Sequence, residues 1–217
     1  MDYFLKRKIL NLFFPNRCPI CSGLLNADDR FCPDCTSALS TYNGDFQIKG
    51  VSEFCACFEY DRNIKPAVFL LKNGICGNSA HAFGTYLAET LEKSGISQKT
   101  DIIVPVPMSA ESKKKRGYNQ AELISETVGE VLGKPVECLV EKIKSTRQQK
   151  NLGIADRKSN LKDVFKVIHA EKVNGKNILI IDDICTTGST LAEISAVLIN
   201  NRAEKVFCAS VCKVAEK

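Results

Sequence analysis

The sequence predicts an α/β protein: a mostly parallel sheet with helices on both faces, preceded by a small N-terminal zinc-binding module. Three observations carry that reading. The apolar runs "DIIVPVP" and "NILIIDD" are short, unbroken and aliphatic, the pattern of strands buried on both faces. They alternate with amphipathic segments at helical spacing, and strand–helix alternation implies a parallel sheet covered on each side. Ahead of them, four cysteines crowd into residues 18–35.

The chain has 217 residues, 44% hydrophobic and 25% charged, enough for one sizeable core and a small appendage. No apolar run approaches the ~20 residues that span a bilayer. At the N-terminus, Phe4, Leu5, Ile9, Leu12 and Phe13 fall near one helical face, and Pro15 would end that helix. A signal peptide is not expected, because the apolar part is only about six residues and lacks a small-residue cleavage site. With no export signal, the cysteine usage predicts a reducing cytoplasm.

"CPIC" at 18–21 and "CPDC" at 32–35 give C-x2-C-x10-C-x2-C. Each C-x2-C turn brings two thiolates toward one tetrahedral ion, and Cys18, Cys21, Cys32 and Cys35 would close the shell of a structural Zn2+. Two disulfides and a redox C-x2-C are the rival readings. The expected cytoplasmic location argues against the first, and the doubling of the motif against the second. A metal would supply stability that residues 1–50 lack in apolar side chains.

The body is expected over 51–217. "FCACFEY" reads as a strand. Ile64, Val68, Phe69 and Leu71 suggest a short helix ending near Lys72. "AHAFGTYLAETLEKSG" reads as a helix stopped at Gly95, and "NQAELISETVGEVLG" as another. "NILIIDD" is the second buried strand, "STLAEISAVLINN" a helix and "KVFCASVCKV" a closing strand. The net charge of +5 is local: residues 111–166 hold 13 Lys and Arg against 8 Asp and Glu, and the remainder balances at 17 against 17. An anionic partner for that segment is one reading, and a solvated face is the other.

In such sheets ligands bind beyond the carboxyl ends of the strands. There the sequence reads "ILIIDDICTTGST", residues 178–190. A turn of threonine, serine and glycine before a helix offers backbone N–H groups and hydroxyls to a phosphate. Asp182 and Asp183 would repel that phosphate, but as acceptors they suit sugar hydroxyls. The implied ligand is a sugar phosphate. A P-loop is excluded by the missing lysine. An ordinary N-capped helix would explain the turn, though not two adjacent aspartates.

This run resembles the phosphoribosyl pyrophosphate (PRPP) motif of type I phosphoribosyltransferases. Together with "VPVPMSAESKKKRGYNQAELI", "STRQQKNLGIADRKSNLKDVF" and the cysteine module, it is similar to the ComF/GntX family over nearly the whole chain. The resemblance implies the type I phosphoribosyltransferase fold and PRPP binding with Mg2+. Asp182 and Asp183 would hold the ribose hydroxyls, and Thr186, Thr187, Gly188, Ser189 and Thr190 the 5-phosphate. Pro107, Met108 and Ser109 would belong to a pyrophosphate loop, with Arg116 as an anion contact and a catalytic group beside the two aspartates. Lys72 matches a family lysine. Thr146, Gln149, Leu152, Arg157 and Asn160 match a mobile loop over the site, expected to close on ligand. Lys144 stands where the family often has arginine. The resemblance also implies a link to competence and DNA uptake, with single-stranded DNA, a helicase and recombination mediators as partners. Three functions follow: a phosphoribosyltransferase of unidentified acceptor, a PRPP sensor without turnover, or an accessory that handles single strands.

Overall fold

The computed structural model describes residues 15–73, 77–143 and 164–215. The expected first helix and the expected mobile loop at 145–160 lie outside them. In chain order the elements are α1 (Pro33–Ser37), β1 (Glu53–Glu59), α2 (Lys65–Lys72), α3 (Gly77–Lys93), α4 (Ile96–Lys99) and β2 (Ile102–Pro105). There follow α5 (Ala110–Arg116), α6 (Gln120–Leu132), β3 (Val140–Lys142), β4 (Phe165–Val167), α7 (Ala170–Val173), β5 (Asn177–Cys185), α8 (Ser189–Asn200) and β6 (Lys205–Lys213).

The main sheet has the order β1-β6-β5-β2, and its ladders are parallel. Alternation along β5 feeds two cores. Leu179 and Ile181 join Phe83 and Leu87 of α3 and Ile124 and Val128 of α6. Ile178 and Ile180 join Leu191, Ile194 and Leu198 of α8 on the other face. Ile178, Leu179, Ile180 and Ile181 are all fully buried, as a two-faced parallel strand requires. Helices α3 and α6 cross at Gly84, where an added Cβ would meet Thr127 Cβ at 2.4 Å.

The N-terminal module packs straight onto this body. The Phe31 ring lies 6.0 Å from Phe83 and 5.7 Å from Tyr86, centroid to centroid. Arg30 stacks 3.8 Å above the Tyr86 ring and pairs with Glu89 at 2.7 Å. Buried Asn16 ties the module's turn together, donating to the carbonyls of Asn26 and Asp29 at 2.7 and 2.8 Å.

Three expectations need correction. Phe69 does not join the inward face of α2 and is 64% exposed; Ala67, Val68 and Leu71 fill that face instead. The basic run at 113–116, read above only as an anion-facing or solvated segment, is helical. Ser109 caps α5 by accepting from the Ser112 N–H, and Gly117 ends it at φ +85°, so good helix formers follow a proper cap. The antiparallel β3–β4 pair was not foreseen, since three-residue strands carry too little alternation to read.

Candidate functional site

The sheet is stepped at its carboxyl edge. Pairing of β2 with β5 stops at Pro105 and Ile181, while β5 and β6 stay paired as far as Cys185 and Lys213. Asp182 and Asp183 were expected where their own strand ends. They lie instead inside β5, at the point where β2 has run out, so one edge of the strand is open beside them. A ladder holds them in place. Each carboxylate also accepts the next residue's N–H, Asp183 N to Asp182 Oδ1 and Ile184 N to Asp183 Oδ1, both at 2.8 Å.

The two acids differ in setting. Burial, and then the neighbouring Asp183 charge, push the Asp182 carboxyl well above the usual carboxylate range; the Asp183 N–H and Lys72 only partly oppose this. Asp183 forms an ion pair with Lys72, Nζ to Oδ2 3.1 Å. The two acids thus differ: burial and a neighbouring charge disfavour ionisation of Asp182, whereas Asp183 is paired with a cation.

A cavity of about 680 Å3 opens over the step. Its walls include Asp182 and Asp183, Lys72 from the end of α2, the Pro107–Met108–Ser109 turn after β2, and Arg116 from α5. The chain is clamped there: Asn119 Nδ2 donates to the Val106 carbonyl at 2.9 Å while its Oδ1 caps α6. The Tyr118 hydroxyl donates to the Leu71 carbonyl next to Lys72.

Immediately after Cys185 the chain turns through Thr186 and Thr187, both exposed, to Gly188, which caps α8 at φ +72°. The hydroxyls of Thr187 and Ser189 lie 2.8 Å apart. The open N–H groups of a helix start beside clustered hydroxyls form an anion cradle. Thr190 is the next helical residue and is exposed.

The four module cysteines converge: their sulfur atoms all lie within 4.8 Å of one another, and Cys21 and Cys32 are 3.6 Å apart. Zn–S bonds of about 2.3 Å in a tetrahedron place sulfurs ~3.8 Å apart, so the set fits a four-sulfur structural zinc. The thiols' protons are already contested. Burial pushes Cys18 up, but the backbone N–H groups of Cys21, Cys32 and Ile20 outweigh it and bring the thiol to about 7. Cys35 is pushed high by burial and its neighbouring thiols.

The structure brings Lys72, Pro107, Met108, Ser109, Arg116, Asp182 and Asp183 to one cavity. The residues 186–190 stand just beyond it on the same strand end. Thr146, Gln149, Arg157 and Asn160 lie outside the described residues, as do Lys144 and Leu152. Sequence reasoning missed Asn119, Gln120, Lys115 and Lys142 on the cavity wall. Asn119 was legible as an N-cap before an apolar-periodic run. Lys142 was not, because only the β3–β4 pairing brings it there.

Residues 77–217 match the phosphoribosyl transferase domain family, and residues 9–46 match the double zinc ribbon domain, although one four-cysteine cluster is what the described residues hold. The chain is 35% identical over 108 residues to Competence protein F of Haemophilus influenzae, covering 49% of this chain and 47% of that protein. It is 28% identical over 205 residues to DNA utilization protein YhgH of Escherichia coli (strain K12), covering 90% and 89%. With Competence protein ComFC of Bacillus subtilis it shares 27% over 200 residues, 77% of each chain. The match spans about half the length of the Haemophilus protein. Among the described residues no helix is long and apolar enough to cross a membrane. With its stepped parallel sheet, its acidic pair and the four-sulfur module ahead of them, this chain belongs to the phosphoribosyl transferase domain family.

Proposed function

We propose that the cavity at the sheet step binds PRPP together with Mg2+. The observation that supports this best is the placing of Asp182 and Asp183 in one cavity with the Pro107–Met108–Ser109 turn, Lys72 and Arg116, one turn from the Thr/Ser/Gly cradle. In this reading the aspartates hold the ribose hydroxyls and the cradle takes the 5-phosphate. The turn and the two cations receive the diphosphate. Mg2+ prefers hard oxygens; with Lys72 turned to the diphosphate, Asp183 would offer it a carboxylate, and the metal would supply charge neutralisation for a departing pyrophosphate.

The chemistry that suits this arrangement is displacement at ribose C1. The protein contributes positioning and neutralisation of the leaving group rather than a covalent step. The relatives' printed names, competence and DNA utilization proteins, support a role in handling DNA taken up by the cell. The exposed basic face of α5, with Lys113, Lys114 and Lys115, favours a second reading, contact with single-stranded DNA or with proteins that process it.

Titration calorimetry with Mg2+ and PRPP tests the first reading. Saturable binding is expected in the wild type and loss of it in the Asp182→Asn, Asp183→Asn double variant. Absence of wild-type binding would refute it. Pyrophosphate release in the presence of amines and bases then separates a transferase from a sensor. Salt-dependent binding of single strands, weakened by charge removal on α5, tests the second reading.

A further inference from the structure

Beneath the anion cradle lies a cation that the reading above does not use. Lys213, the last residue of β6, is only 2% exposed. Its ammonium donates to the Thr186 carbonyl at 3.0 Å and to the Val214 carbonyl at 2.7 Å. The Phe46 ring covers its remaining side, with Nζ 3.9 Å from the centroid. No described carboxylate pairs with it. Burying an ammonium costs free energy unless something compensates, and two carbonyls and a ring face compensate in part.

The geometry says what that cost achieves. A trans peptide is planar, so the Thr186 carbonyl and the Thr187 N–H point in opposite directions. Anchoring the carbonyl on Lys213 turns the Thr187 N–H away from it, in a turn whose Thr187 and Ser189 hydroxyls lie 2.8 Å apart. The next residue, Gly188, takes the left-handed conformation and starts α8. Phe46 and Ile48 press on that turn from the segment that follows the zinc module: a Cβ at Gly188 would lie 3.1 Å from Phe46 Cε1 and 3.0 Å from Ile48 Cγ1.

We infer that Lys213 is the positioning residue of the cradle. Its buried ammonium fixes the Thr186–Thr187 peptide so that the turn presents N–H groups to a phosphomonoester, and its charge adds to the helix-start field that attracts the anion. This rests on the cradle being the 5-phosphate end of the PRPP site. It adds a selective consequence: Lys213 serves the phosphomonoester end, while the diphosphate end depends on the other wall of the cavity.

Calorimetry on the full zinc-loaded chain with two probes, ribose 5-phosphate and Mg2+-pyrophosphate, tests it. Lys213→Met is expected to weaken ribose 5-phosphate about tenfold or more, on the scale of a lost charge-assisted contact, and to leave pyrophosphate within about twofold. Lys213→Arg, which keeps charge and donors, is expected to restore ribose 5-phosphate binding. Equal weakening toward both probes, or no weakening toward ribose 5-phosphate, would overturn the inference. If the wild type binds neither probe, the PRPP reading itself fails and takes this one with it. If the wild type binds both and Lys213→Met is unchanged, only the role of Lys213 fails. Should Lys213→Met not fold, Phe46→Leu uncovers the ammonium without removing it. A selective loss of ribose 5-phosphate affinity is then expected, and an unselective or absent one refutes the role.

Discussion

Replacing Asp182 by asparagine should make the protein more stable and less able to bind. The carboxyl is held well above the usual carboxylate range by burial and by the Asp183 charge. A group with a raised folded-state pKa contributes stability below its unfolded value, here 3.8, and that contribution is lost as pH rises through the shifted value. Asparagine is isosteric, keeps an oxygen for the Asp183 N–H now bonded at 2.8 Å, and cannot ionise. Its advantage should therefore be absent near pH 3, grow as pH rises above about 4, and reach on the order of 1 kcal/mol. That corresponds to about 2–4 °C in melting temperature for a chain of this size. Binding moves the other way: a lost hydroxyl contact costs about 1–3 kcal/mol, roughly a 5- to 150-fold weaker PRPP complex. Asp183→Asn is the control. Its ion pair with Lys72 spans 3.1 Å with side chains 16% and 36% exposed, so its loss should cost only ~0–1 kcal/mol, and relief of its charge on Asp182 should leave any gain smaller than that of Asp182→Asn. Thermal melts from pH 4 to 8, with calorimetric titrations beside them, supply the test. A lower melting temperature for Asp182→Asn at pH 7, or PRPP affinity within threefold of wild type, would refute the reasoning.

Two further outcomes follow from the same geometry. Gly188→Ala places a side chain at φ +72° against Ile48 and Phe46; the backbone term alone costs about 1–2 kcal/mol. Melting temperature and ribose 5-phosphate affinity should both fall, and an unchanged melt would mean the turn relaxes freely. Metal analysis should find one zinc per chain. Chelation or Cys18→Ser should lower the melting of the whole chain, not of the module alone, because Phe31 packs against Phe83 and Tyr86; a melt indifferent to chelator would count against this.

The sheet was legible because its strands obey the rule that names them. The first four aliphatics of β5, residues 178–181, are buried on both faces, and an unbroken apolar run says so without reference to partners. Cysteine spacing disclosed the metal site for a similar reason, since C-x2-C is a local geometry. Asp182 and Asp183 stood out by contrast, two charges closing an apolar strand. What the sequence could not disclose depends on distant pairing. Lys142 reaches the cavity through the β3–β4 ladder. Lys213 reads as one more polar residue at the end of a strand until β6 is laid beside β5, which brings it under Thr186. The α5 helix is a different case: its Ser109 cap and its lysines were visible, yet the reading assigned that segment a charge and no helix.

The local costs of this fold gather at one edge. Asp182 is a half-buried acid next to another acid, Lys213 a buried ammonium without a described counter-ion, and Gly188 a left-handed residue under Ile48 and Phe46. All three stand where β5 and β6 outrun β2, whereas the faces of the sheet below them are aliphatic. Departures from packing rules that cluster in this way mark a surface shaped for something other than stability. Their signs also complement one ligand. The acids want hydroxyl donors, the buried lysine and helix start want an anion, and Lys72 and Arg116 want a second anion across the cavity. The proposed ligand, a sugar carrying phosphate at one end and diphosphate at the other, would relieve each of them at once. The zinc module joins this edge mechanically, since residues 45–48, which follow it, bear on Gly188 and Lys213. Loosening the module should therefore be felt first at the phosphate cradle and only later in the sheet.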